Sequence, residues 1–86
     1  MNINQLIAII KKKLTTEIDI QDIKIEDKSF LHKNHKGHKE GKFHLKLFIK
    51  SDELSQLSKI VATKKIYSIL RVELKEHIHS IQILFE

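Results

Sequence analysis

Apolar residues recur along this chain with two periods, and the changes between them mark its elements. Ile3, Leu6, Ile7, Ile10 and Leu14 form a stripe at helical spacing, behind Asn2 and Asn4, either of which can cap a helix. Lys11, Lys12 and Lys13 suit the negative pole at its far end. After Thr15 and Thr16 the pattern turns to alternation, with Ile18 and Ile20, then Ile23 and Ile25, which predicts a strand near residues 21–27. A second strand over residues 42–50 places Phe43, Leu45, Leu47 and Ile49 on one face and His44, Lys46, Phe48 and Lys50 on the other. One apolar and one mostly wet face is the mark of an open sheet covered on one side. Ser51-Asp52-Glu53 reads as a helix start, with a short turn over residues 52–57 leading to a long helix over residues 59–76.

The two periods meet between residues 64 and 85. Ile66, Ile69, Leu70 and Leu74 keep helical spacing, Tyr67 lies on the same apolar side, and no glycine or proline intervenes. From Ile78 the period is two: His79, Ile81, Ile83 and Phe85 share one side, with Ser80 and Gln82 on the other. His79 therefore stands where a helix gives way to a strand. The expected order is helix, strand, strand, short helix, helix, strand, an α+β arrangement. Its first two strands pair antiparallel, and a helical crossover returns the third parallel to the second. The expected core includes Leu6, Ile10, Leu45, Leu47, Ile69, Leu70, Ile81 and Ile83, while Glu73 and Glu76, beside Lys75, read as solvated surface.

Composition narrows the function classes. Eighty-six residues make one domain with a modest core, burying about 60% of the unfolded surface. No apolar run approaches the roughly 20 residues that span a bilayer, and no signal pattern follows Met1, so a cytoplasmic protein without a membrane anchor is expected. The chain has no cysteine, which excludes disulfides, a thiol nucleophile and a self-sufficient thiolate metal site. No paired carboxylates, Ser-His-Asp set or phosphate-cradling loop can be assembled, so an enzyme is not expected. The formal charge of +5 is local: from Lys28 to Lys50 there are seven lysines against one acid, Glu40, and the rest of the chain is close to neutral. Such a segment is either a solvated face or a patch for an anionic partner.

Four of the six histidines, His32, His35, His38 and His44, fall between the first strand and the early part of the second, with both glycines, Gly37 and Gly41. Imidazoles at spacing three can take a divalent metal, but no cysteine or acid stands where a structural zinc site would need one. Every apolar period stops here while lysine and glycine accumulate, so a mobile loop is expected over residues 32–41.

With these residues in place the chain resembles the BolA family. The resemblance is carried by Asp27, Ser29 and His32 in DKSFLH, the HxxHxGH run of His32, His35, Gly37 and His38, and His44-Leu45 opening the second strand. Ser51 closes that strand; Ile66-Tyr67, Leu70, Glu73 and Leu74 follow in the long helix, and Ile78-His79 opens the last strand. It spans residues 1–86 in order. Two stretches differ: the family's basic-His-basic triplet reads Ala62, Thr63 and Lys64 here, and Leu54 and Gln56 replace its aromatic and glycine. The resemblance implies a KH type II-like α-β-β-α-α-β fold, a three-stranded mixed sheet with helices packed on one face. It also implies an adaptor that is monomeric alone and forms a heterodimer with a monothiol glutaredoxin, sharing or transferring a [2Fe-2S] cluster. Such a cluster needs four ligands, and a chain without thiols can offer only imidazoles. His79 is the first ligand expected, joined by one loop histidine, His32 or else His35 or His38; the remaining ligands fall to the glutaredoxin cysteine and glutathione. Some bacterial members are described as transcription regulators of morphology and stress responses. Here that alternative would rest on Lys46, Lys50, Lys64 and Lys65, without the Gly-x-x-Gly loop by which KH domains clamp a backbone. DNA binding on that basis is expected to be weak and governed by phosphate charge.

Overall fold

A computed structural model describes residues 1–29 and 42–86 of the chain. Helix α1, Ile3–Glu17, starts at a reciprocal cap: Asn2 Oδ1 accepts from the Gln5 N–H at 2.8 Å, and Gln5 Oε1 accepts from the Asn2 N–H at 3.0 Å. Its stripe resolves into buried Leu6, Ile10 and Leu14, with Ile3 packed at the edge. The expected strands form with their first residue trimmed, as β1, Asp22–Asp27, and β2, Phe43–Lys50. They pair antiparallel, with Ile23 opposite Ile49 and Ile25 opposite Leu47.

Ser51 caps the short helix α2, Asp52–Ser55, accepting from the Leu54 N–H at 3.1 Å while its hydroxyl donates to the Asp19 carbonyl at 2.6 Å. The long helix expected over residues 59–76 is two segments, α3, Lys59–Ile69, and α4, Arg71–Glu76. Leu70 between them leaves helical geometry at φ −95°, ψ 17°, although its N–H still reaches the Ile66 carbonyl and its own carbonyl accepts from Leu74. Leu70 is fully buried, so the core holds this turn and redirects α4. The last strand, β3, Ile78–Phe85, runs parallel to β2, giving a three-stranded mixed sheet in the order β1-β2-β3.

The helices cover one sheet face. Leu45, Leu47 and Ile49 of β2 meet Leu6, Ile10 and Leu14 of α1 and Ala62 and Ile66 of α3, and Ile18, Leu54, Leu70 and Ile78 complete the core. A buried aliphatic side chain contributes about 1.5–3 kcal/mol, so these contacts dominate the folding energy. Of the expected core, Ile69, Ile81 and Ile83 are partly buried at its margin. Two expectations are corrected. Tyr67 is 43% exposed, because Ala62 and Ile66 fill the inner face of α3 and Leu70 the turn that follows it. Glu73 is 5% exposed rather than solvated: the turn at Leu70 aims it at α1, where Lys13 Nζ meets its Oε2 at 2.6 Å. Among the described residues no helix is long and apolar enough to cross a membrane.

Candidate functional site

The chemistry-bearing residues converge where β3 begins. His77 ends α4, its N–H bonded to the Glu73 carbonyl and its own carbonyl accepting from the Phe43 N–H at 2.9 Å, which fastens the start of β3 to the start of β2. Phe43 is then paired with Ile78, but His44 is paired with Ser80 rather than with the next residue. One residue of β3, His79, is therefore surplus to the ladder. Such bulges break the alternation of side chains and re-aim the extra one. They explain a correction to the sequence reading, which placed His79 on the same side as Ile81, Ile83 and Phe85. Ile78 and Ile81, three apart, both turn inward, and His79 is set aside from the apolar row as an exposed residue.

The neighbour of His79 is His44. Their ring centroids are 4.6 Å apart and their planes are inclined at 54°. His44 is 6% exposed on an otherwise open face, and its Nδ1 lies 2.7 Å from Ser80 Oγ. Its backbone is held as well: the His44 N–H donates to Ser29 Oγ at 3.1 Å, and its carbonyl accepts from the Lys28 N–H at 2.7 Å. Ser29 is in turn held by Asp27, whose Oδ1 accepts its N–H at 3.0 Å. Both ends of the segment between β1 and β2 are thereby tied to this corner, one through Ser29 and the other through Lys42, whose Nζ donates to the Lys75 carbonyl at 3.1 Å.

Of the ligands expected from the sequence, only His79 is described; His32, His35, His38 and the expected mobile loop over residues 32–41 lie outside the described residues. The residue that sequence reasoning passed over is His44. It counted as one of four clustered histidines and as the residue that opens the second strand, with no role at the site, and the strand register that brings it to His79 is carried by no local motif.

The lysines expected to contact nucleic acid fall on two layers. Lys46 and Lys50 lie on the uncovered sheet face, where Lys46 Nζ stands 5.2 Å and Lys24 Nζ 5.5 Å from the centre of the Phe48 ring. Lys64 and Lys65 lie on α3, across the sheet, and Lys65 is bound to Glu53 Oε2 at 2.9 Å. That ion pair and the Asp19 N–H hold the Glu53 carboxyl below its usual range.

Comparisons with known proteins agree with the fold. A family model described as "BolA-like protein" matches residues 14–85. SufE-like protein 1, chloroplastic/mitochondrial, of Arabidopsis thaliana is 31% identical over 80 residues, which cover 87% of this chain and 22% of that protein. The chain thus spans about a fifth of the length of that relative. Among solved structures, the BolA domain of SufE1 from Arabidopsis thaliana superposes with a TM-score of 0.77 at 32% identity, covering 92% of this chain and 87% of the other. BolA1 from the same plant gives 0.75 at 26% identity, with the same coverage. A bol-like protein from Babesia bovis, at 15% identity and a TM-score of 0.70 over 91% of this chain and 79% of its own, shares the fold.

Proposed function

The chain belongs to the BolA-like protein family, and from that premise we propose that it is a non-enzymatic adaptor that pairs with a monothiol glutaredoxin and shares a [2Fe-2S] cluster with it. The observation that supports this reading is the exposed His79, presented on a surplus strand residue and backed by the ring of His44. A bulge adds a side chain without taking one from the core, which suits a residue whose partner lies outside the chain.

The donor set supports a shared site, because the chain has no cysteine and so no thiolate to offer a cluster. Iron-sulfur clusters take thiolates first and imidazoles second. The glutaredoxin cysteine and glutathione would therefore supply the thiolates, and this chain would supply His79 and one of His32, His35 or His38. The cluster is the cargo, bringing iron and sulfide for transfer to a recipient. The chain's own residues do the rest. His79 offers an imidazole nitrogen, Ile78 and the paired strands fix its backbone, and hydrogen bonds hold Ser29 to His44 and Lys42 to Lys75.

The test is reconstitution with a monothiol glutaredoxin, glutathione, iron and sulfide, followed by visible absorption and circular dichroism. A mixed complex with a spectrum unlike that of the glutaredoxin alone supports the reading, and His79→Ala should shift that spectrum or shorten the cluster's lifetime. No mixed complex, or a spectrum indifferent to His79→Ala, would remove it. The nucleic-acid reading ranks second because its four lysines occupy two layers and one of them is bound to Glu53.

A further inference from the structure

We infer that His44 is a positioning residue for His79: its buried imidazole, fixed by the Ser80 hydroxyl, sets the orientation of the exposed ring beside it. An exposed side chain on a surplus strand residue retains rotamer freedom, and that freedom must be given up when the ring takes a directed bond. The His44–His79 separation of 4.6 Å and inclination of 54° fall in the range where tilted aromatic rings attract each other. Attraction to a neighbour orients His79 only if the neighbour is itself still, and His44 is held from three sides. The residue is 6% exposed, its ring is bound to Ser80 at 2.7 Å, its N–H is bound to Ser29, and its carbonyl accepts from Lys28. The bulge makes the arrangement possible, because the surplus residue lets Ser80 stand opposite His44 while His79 reaches the same ring.

Ligand histidines are commonly oriented by a hydrogen-bonded carboxylate or carbonyl, and losing that partner costs about 10–100-fold in metal affinity. Here the orienting group is the wall of a second imidazole. A direct consequence is that ring shape matters more than the nitrogens of His44: phenylalanine would keep the wall, whereas alanine would remove it. The cluster consequence rests on the proposed function; the orientation itself does not.

The test therefore has two arms. In the isolated chain, NMR side-chain couplings of His79 should report one dominant rotamer, with cross-relaxation between the His44 and His79 ring protons. His44→Ala should average those couplings, His44→Phe should restore them, and Ser80→Ala should move them part of the way. Ser80 is exposed, so its variant decides the matter should His44→Ala fail to fold. Couplings already averaged in the wild type, or unchanged in Ser80→Ala and a folded His44→Ala, would overturn the inference. In the glutaredoxin complex, cluster lifetime should fall about tenfold in His44→Ala and recover in His44→Phe. A cluster indifferent to His79→Ala would count against the proposed function alone, leaving the orienting role to be decided by the couplings.

Discussion

Replacing His79 with alanine removes an exposed side chain from a residue that neither the core nor the ladder requires. The expected loss of stability is about 0.5 kcal/mol or less, read as the midpoint of urea unfolding. Lys13 and Glu73 should behave differently. The Glu73 side chain is 7% exposed and its Oε1 has no hydrogen-bond partner among the described residues, so only half of the carboxylate's lost hydration is offset, by Lys13. Lys13→Met should cost about 2 kcal/mol, less than the roughly 3–5 kcal/mol for a fully enclosed pair because Lys13 is 40% exposed. Glu73→Met should be close to neutral or stabilising, since it removes the need for that partner. Unfolding curves of the two single variants check the asymmetry. The sequence offered little warning of either arrangement. Glu73 beside Lys75 and Glu76 has the look of a wet surface, and its burial depends on the bend at Leu70. His44 owes its importance to a register between strands more than 30 residues apart, which local pattern does not encode.

Elements were more legible than residues. The alternation of Phe43, Leu45, Leu47 and Ile49 identifies β2 because one face is buried, and any slip by one residue would turn lysines inward. The crossover to β3 follows from the hand of the chain. The division of the long helix into α3 and α4 was not legible, as no proline or glycine marks it. Ser51 joins several elements: its hydroxyl caps α2 and donates to the Asp19 carbonyl ahead of β1, and the residue is 5% exposed. Ser51→Ala should therefore cost about 1–3 kcal/mol, more than an exposed cap, because it strands a carbonyl as well as an N–H. The measurement is thermal or urea unfolding; a loss below a few tenths of a kcal/mol would show that water replaces both bonds.

At the scale of the whole molecule the question is how charge is spread. The uncovered sheet face and α3 each carry lysines, but acids interrupt them: Glu26 lies 3.4 Å from both Lys24 and Lys28, and Glu53 holds Lys65. Association with DNA or RNA should then fall steeply with added salt and differ little between sequences, as fluorescence anisotropy would show. Strong preference for one sequence at high salt would instead favour the regulator reading. The same pairs give a weak acid sensitivity. Lys65 and the Asp19 N–H depress Glu53 below its ordinary value of 4.5, so its contribution is complete above that pH and is lost as pH falls through the depressed value. Lys65→Gln should flatten this part of the stability curve, and NMR titration of the Glu53 carboxyl should move back towards its ordinary value.

The one-residue excess in β3 also bears on how such a site could arise or vanish. Removing His79 would leave Phe43 opposite Ile78 and His44 opposite Ser80, an uninterrupted parallel pairing with every apolar side chain still in place. A deletion of one codon should thus yield a domain as stable as its parent, or more so, while erasing the imidazole at its corner. Core residues tie a lineage to its fold, but this histidine sits in a slot that insertion and deletion can open or close without repacking anything beneath it.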